Sequence, residues 1–359
     1  MNAWQTTWTL VAKRPGLFCF CLLILLAGAC RSTNNPAPGP VTGGNPATLP
    51  NGGVPNGRLI AMQPFHERNG GDEFNASGIV PLAEGRFLFC DNNSGQALYE
   101  LSVNAQGQQA APILSRPLQG LGLDAPDDLE AMTYADEGGR RFIFATSSLY
   151  LKKAKKNKPD KLTPSGLLRI TPQADGSLRA ENMPGFREWL LQQVPELAPA
   201  AQLEPDDGGL NIEGLAWDPQ RRALLLGVRT PAPGGQPLVI PVQVKELAGT
   251  WATSNLTVST PIRLALPATY GESGIRSLEY IPERKAFLLI AGKSISDSDA
   301  PFALYEWDGQ TASGVKRLSL AFARKIKPEG LTSGTVGGKP VLLIVDDGGG
   351  FQIVPVESL

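Results

Sequence analysis

One phrase recurs along this chain and limits what it can fold into. Its clearest copy is Asn211-Ile212-Glu213-Gly214-Leu215-Ala216-Trp217-Asp218-Pro219, followed by a polar turn, the apolar run at residues 223–228 and a charged residue, Arg229. Earlier copies pair Ala76-Ser77-Gly78-Ile79-Val80 with residues 86–90 and Asp91, and residues 129–134 with residues 142–146. Later copies pair residues 275–280 with 287–291, and Pro328-Glu329-Gly330-Leu331 with 341–345. Aligned on the Glu of the phrase, the copies sit at 77, 130, 213, 276 and 329, with spacings of 53, 83, 63 and 53. A self-similar unit of about 50 residues, built of strands and tight turns, predicts an all-β fold, a β-propeller with one four-stranded blade per unit. The strands are nearly continuous apolar runs, as expected where both faces of a blade pack on neighbours.

The longest spacing holds two insertions. Lys152, Lys153, Lys155, Lys156, Lys158 and Lys161 make a basic loop, which reads either as a solvated loop or as an anion-attracting lid. Residues 185–194, with Pro184 ahead and Pro195 behind, predict a short amphipathic helix. The ring then has five blades, or six if residues 160–210 hide a degenerate copy. The fifth copy ends after three strands, and residues 58–63 form a strand with no hairpin partner nearby. That strand is expected to complete the last blade and so close the ring, leaving no open edge.

The N-terminus reads as a targeting segment. Lys13 and Arg14 precede an apolar run from Leu17 to Leu26, too short to span a bilayer comfortably. It ends in Leu26-Ala27-Gly28-Ala29-Cys30, which resembles the lipobox of bacterial lipoproteins. Residues 1–29 are thus expected to be removed and Cys30 to carry acyl chains such as palmitate, which anchor through buried methylenes. Arg31, where a sorting rule would place Asp for inner-membrane retention, points to the outer membrane, facing the periplasm or the exterior. Residues 31–57 are rich in Asn, Pro, Gly and Thr and read as a flexible tether, leaving 58–359 as the propeller. Only Cys90 of the 4 cysteines then remains in the domain, as a buried small apolar residue without a disulfide partner. A net charge of -1 argues against nucleic acid as a partner. The propeller is expected to be a monomer whose partners are the membrane and a small-molecule or phosphorylated ligand.

Propeller topology brings distant residues together. The inner strand of each blade lines a central channel, and the second strand runs antiparallel to it. Starts of first strands and ends of second strands therefore share one face. This gathers Ser77, Glu130, Glu213, Arg276 and Glu329 in one ring, and Asp91, Ser147, Arg229, Lys293 and Asp346 in a second beside it. Carboxylates buried together need compensation. Arg276, Arg229 and Lys293 could supply it, or a bound Ca²⁺ held by Glu130, Glu213 and Glu329. The plainer alternative is that these side chains tie neighbouring blades together. Asp127, Asp128, Asp206 and Asp207 enrich the same face or sit in solvated turns.

Catalytic motifs are sparse. The chain has one histidine, His66, outside the repeats, and it reads as a surface residue; no Gly-x-Ser-x-Gly elbow, HExxH or P-loop is present.

Several of these stretches resemble the bacterial domain-of-unknown-function family 3616. They are Gly209 to Trp217 with Leu225 to Pro231, Asp128-Leu129-Glu130-Ala131, Gly274 to Glu279 with Leu289 to Gly292, and Lys327 to Leu331. The resemblance covers about residues 70–355 and implies a propeller without an assigned activity. The first copy, with Phe89-Cys90-Asp91, also resembles the related esterase-like phytase propellers, which implies phosphoester hydrolysis. Ala145-Thr146-Ser147-Ser148 departs from the family, standing where a Gly-Ser-His type of strand end is expected.

The sequence thus predicts a lipid-anchored, extracytoplasmic propeller binding a ligand in a polar funnel, with or without Ca²⁺. The alternatives are a metal-assisted phosphoesterase using Glu130, Glu213, Glu329 and Asp91, and a structural scaffold of the envelope. Whether the protein is an enzyme stays open at this point.

Overall fold

A computed structural model describes residues 58–359, apart from 68–71, 122–124, 153–160, 163–164, 267–271, 299 and 324. The targeting segment, Cys30, the tether and most of the lysine loop lie outside the described residues.

Five blades form the propeller. Their inner strands are Ala76–Ala83, Leu129–Glu137, Asn211–Asp218, Ser273–Ile281 and Pro328–Val336. Each of these packs on the next, and the last packs on the first, so the ring closes. The second strands, Arg86–Asp91, Arg140–Ser147, Ala223–Thr230, Ala286–Lys293 and Lys339–Asp346, run antiparallel to them. Five separate apolar clusters fill the interfaces between successive blades rather than one common core. That arrangement explains why the strands lack polar alternation: both faces of each blade are interior.

Residues 160–210 are not a sixth blade. Leu167–Pro172 and Leu178–Asn182 are the third and fourth strands of blade 2. The helix follows at Phe186–Gln193, and three 3₁₀ turns, ending with Pro205–Asp207, carry the chain into blade 3. The helix buries Phe186 and Leu190 in the cluster between blades 2 and 3. The outer strands of blades 1 and 2 also pair in parallel, Leu118 with Leu178 and Gln119 with Arg179, joining these two blades into one eight-stranded sheet.

The N-terminal strand closes the ring differently from expectation. It does not lie wholly in blade 5. Arg58–Ile60 pairs in parallel with Val315–Phe322 as an added fifth strand of blade 4. Gln63–Pro64 then pairs with Gly350–Pro355 as the fourth strand of blade 5. The segment crosses from one blade to the next and straps them together. Buried Ile60 and Phe65 fix its two ends.

Every inner strand carries a register irregularity at the aligned position of the repeat. The ladder skips Glu130 between Leu129 and Ala131, Glu213 between Ile212 and Gly214, and Arg276 between Ile275 and Ser277. It skips Glu329 between Pro328 and Gly330, and Ser77 with Gly78 between Ala76 and Ile79. A bulge frees one residue from pairing and re-aims its side chain. Space there is tight: a Cβ on Gly330 would lie 1.9 Å from the Ser77 carbonyl oxygen of the adjoining blade, so only glycine fits the close approach.

Candidate functional site: a carboxylate cluster beneath a basic cavity

Three of the bulged residues converge. Glu130, Glu213 and Glu329 each place a carboxylate oxygen within 4.8 Å of the others, and all three are buried. Arg276, the bulged residue of blade 4, is threaded among them. Its Nη2 pairs with Glu329 Oε1, and its Nε lies 3.0 Å from Glu213 Oε2, in ionic contact but without hydrogen-bond alignment. Arg229 Nη1 donates to Glu213 Oε1 at 2.7 Å, and Asn211 Nδ2 donates to the same oxygen at 2.9 Å. Arg229 Nε also donates to the Ser294 carbonyl at 3.0 Å, which ties the cluster to the loop after blade 4's second strand.

The charges do not share this compensation evenly. Glu213 is paired twice, Glu329 once, and Glu130 has no ion pair among the described residues. Burial, and then repulsion from Glu213, Asp128 and Glu329, push the Glu130 carboxyl well above the usual range. Burial pushes Glu329 up to about 8 against the opposing pull of Arg276. Burial works against the charge of Arg276, but Glu213, Glu329 and Glu130 outweigh it and hold its pKa above the ordinary value. Burial thus works against charge on Glu130 and Glu329, and the two arginines work for it.

Above the cluster lies a cavity of ≈ 620 Å³. Among the described residues, Arg229, Arg276, Lys293, Lys325 and Lys327 line it with two carboxylates, Glu329 and Asp347. Lys327 Nζ pairs with Asp347 at 3.0 Å, whereas Lys293 and Lys325 make no ion pair among the described residues. Phe302, Ile326 and Ser296 complete the wall. The insertion reaches this wall, where Asp206 Oδ1 accepts a hydrogen bond from Ser296 N at 3.0 Å.

The other predicted residues have different surroundings. Ser77 is buried, and its hydroxyl donates to the Asn75 carbonyl at 3.5 Å, a long local contact. Asp91 Oδ1 accepts from Asn93 N at 3.0 Å and shapes the turn after its strand. Ser147 exchanges hydrogen bonds with Gly166, and Asp128 accepts one from Ser148. Asp346 lies against the Gly348–Gly350 turn, where burial raises its carboxyl to about 6; its neighbour Asp347 is the one that lines the cavity. His66 is exposed, and Cys90 is a buried free thiol.

One buried acid of the channel was not anticipated. Glu279 lies deeper in the channel and accepts hydrogen bonds from Thr133 at 3.2 Å and Thr332 at 3.3 Å, linking blades 2, 4 and 5. Burial raises its pKa well above the usual range, and those two hydroxyls only partly offset it. All three residues stand three places after a bulged residue: Thr133 after Glu130, Glu279 after Arg276, Thr332 after Glu329. The bulge consumes one place of the period-2 alternation, so channel-facing residues fall at +3 rather than +2.

Residues 128–345 match the family described as protein of unknown function (DUF3616). The chain belongs to this family. The DUF3616 span takes in Glu130, Glu213, Arg229, Arg276, Lys293 and Glu329, and leaves out blade 1 and Asp346. No curated protein sequence matches the chain. Among solved structures it is similar to the GH43 protein BlXynB from Bacillus licheniformis, at 9% identity over 79% of this chain and 53% of that one, with a TM-score of 0.45. It is also similar to an α-L-arabinofuranosidase from Lactobacillus brevis, at 11% identity over 79% and 91% of the two chains, with a TM-score of 0.45. An α-L-arabinanase from Cellvibrio cellulosa overlaps at 11% identity over 80% and 94%, with a TM-score of 0.41. Overlaps this distant carry nothing about the site of this DUF3616 propeller.

Proposed function

We propose that the propeller binds a small anionic ligand in the cavity over its channel. The observation behind this reading is that, among the described residues, five cationic side chains line the cavity with two carboxylates, and Lys293 and Lys325 make no ion pair. In this reading Arg276 and Arg229 neutralise the glutamates beneath, in the role Ca²⁺ would otherwise take, while the lysines face the ligand. Two unpaired ammonium groups suit a dianion, such as a phosphate or a dicarboxylate. Calorimetry with phosphate, pyrophosphate and citrate tests this. Binding is expected, weakened about tenfold by Lys293→Ala through loss of one charge-assisted contact. No heat from any of the three at millimolar concentration would sink the reading. A Ca²⁺-dependent rise in melting temperature would instead assign the glutamates to a metal.

A second reading, phosphoester hydrolysis, draws on Glu329. This acid lines the same cavity, and burial raises its carboxyl against the pull of Arg276, the direction that suits a group donating a proton to a leaving oxygen. Turnover of a phosphomonoester and phosphodiester panel, abolished by Glu329→Gln, is the expected result under this reading. Turnover unchanged by Glu329→Gln or by Glu213→Gln would remove the cluster from the mechanism.

We further propose that the protein is carried on the outer membrane by acyl chains on Cys30, with residues 31–57 as tether. The support is the lipobox-like sequence alone; among the described residues no helix is long and apolar enough to cross a membrane. Replacing Cys30 by Ala is expected to move the protein from the membrane to the soluble fraction. Retention at the membrane would remove the lipid anchor.

A further inference from the structure

The basic cavity has one aromatic wall, and its placement is constrained by the sheet beneath it. Phe302 is half-buried just ahead of the strand Ala303–Trp307 and lines the cavity with Ile326. Its ring lies over Gly292, at the end of the adjacent strand Ala286–Lys293. A Cβ on Gly292 would come within 2.2 Å of Phe302 Cδ1 and 2.6 Å of Cε1, so any other residue would displace the ring. The Arg276 guanidinium lies over the ring, 5.8 Å from its centroid. The ring is thus held against a glycine and under the Arg276 guanidinium, and what remains of it faces the cavity. Its partner on the wall, Ile326, is also only half-buried.

A site for a bare inorganic anion gains nothing from such a wall, because apolar surface beside an anion displaces hydration that the anion needs. A site for an organic anion does gain, because a ring or other apolar face can cover Phe302 while the charge meets the lysines. We propose that the ligand is an organic phosphomonoester, or a compound of the same form, with its dianionic group on Lys293 and Lys325 and an apolar, flat moiety on Phe302. This rests on the anion reading above and adds a ligand class to it. It also makes Phe302 a specificity-determining residue that acts on the ligand's organic part alone.

The test compares phenylphosphonate with methylphosphonate, which carry the same anionic head and cannot be hydrolysed as esters. Titration calorimetry at one neutral pH is expected to show phenylphosphonate binding about tenfold tighter, the gain typical of one buried ring contact. Phe302→Leu should shrink that preference severalfold, and Phe302→Ala should bring it to within about twofold, with the methylphosphonate Kd unchanged in both. The leucine variant keeps most of the apolar volume, which guards against loss of fold. Equal affinity of the wild-type protein for the two compounds overturns the ring platform and leaves the anion site standing. Binding of neither compound removes both proposals. A Phe302 variant that weakens both compounds equally reduces Phe302 to a structural role.

Discussion

Arg276→Met is expected to destabilise the propeller by about 3–5 kcal/mol at neutral pH, the scale found when one partner of a buried ion pair is removed. The side chain lies among Glu213, Glu329 and Glu130, and its loss leaves paired carboxylates facing one another in a buried channel. The pH dependence distinguishes this cause from simple loss of packing. A buried carboxyl whose folded pKa is raised binds more protons in the folded state, so stability falls as pH rises from the unfolded pKa toward the folded one. Without Arg276, whose pull lowers the Glu329 carboxyl, that applies more strongly to Glu329, so the variant should recover stability on acidification. The wild-type protein should follow the same direction more gently. Glu130, Glu279 and Glu329 are all raised, Glu329 from 4.5 to about 8, so its melting temperature should fall as pH rises through that interval. A deficit in Arg276→Met that stays constant over that range would place the cost in packing rather than in charge.

The second large effect is at the strap. Phe65→Ala is expected to cost about 3–5 kcal/mol, as for other buried Phe truncations. The ring stacks on Phe89 at 5.2 Å and on Phe351 at 5.8 Å, and meets Phe74 edge-on at 5.8 Å. It stands one residue beyond Gln63–Pro64, the strand that completes blade 5. Its loss should therefore free the segment that bridges blades 4 and 5 and open a protease-sensitive edge near residues 58–64. Denaturant unfolding and limited proteolysis check this together. A change below about 1 kcal/mol with no new cleavage would mean the ring stays closed without this anchor.

The sequence carried the blades because their signal is redundant. A run such as Ala223 to Val228 can be buried on both faces only between two neighbours, and four similar runs at related spacing leave few other folds. The meeting of Glu130, Glu213, Arg276 and Glu329 was legible for the same reason, since the alignment puts them at one level of one channel. Other features were hidden by geometry finer than the repeat. A single skipped residue shifts the alternation, so Glu279 reads as one more polar residue in a strand until the bulge at Arg276 is known. Lys325, Lys327 and Asp347 sit on loops between strands, where spacing does not place a side chain. Ser77 and Asp91 were placed by the same alignment, which says nothing of the short hydrogen-bonded turns they join, Ser77 to the Asn75 carbonyl and Asp91 to Asn93 N. The strap was misread because two-residue pairings such as Gln63–Pro64 leave almost no pattern in the chain.

The bulges have one further consequence. A residue that the ladder skips has no partner across the sheet, so exchanging its side chain leaves the strand pairing on either side intact. Blade and axis can then vary independently: the runs that weld the blades answer to packing, and the skipped position answers only to what stands in the channel. Ser, Glu, Glu, Arg and Glu are one spelling of a five-letter code on a frame that would accept others, subject to charge balance. Proteins with these same blades can therefore differ in what they hold at the centre without any change in how they fold.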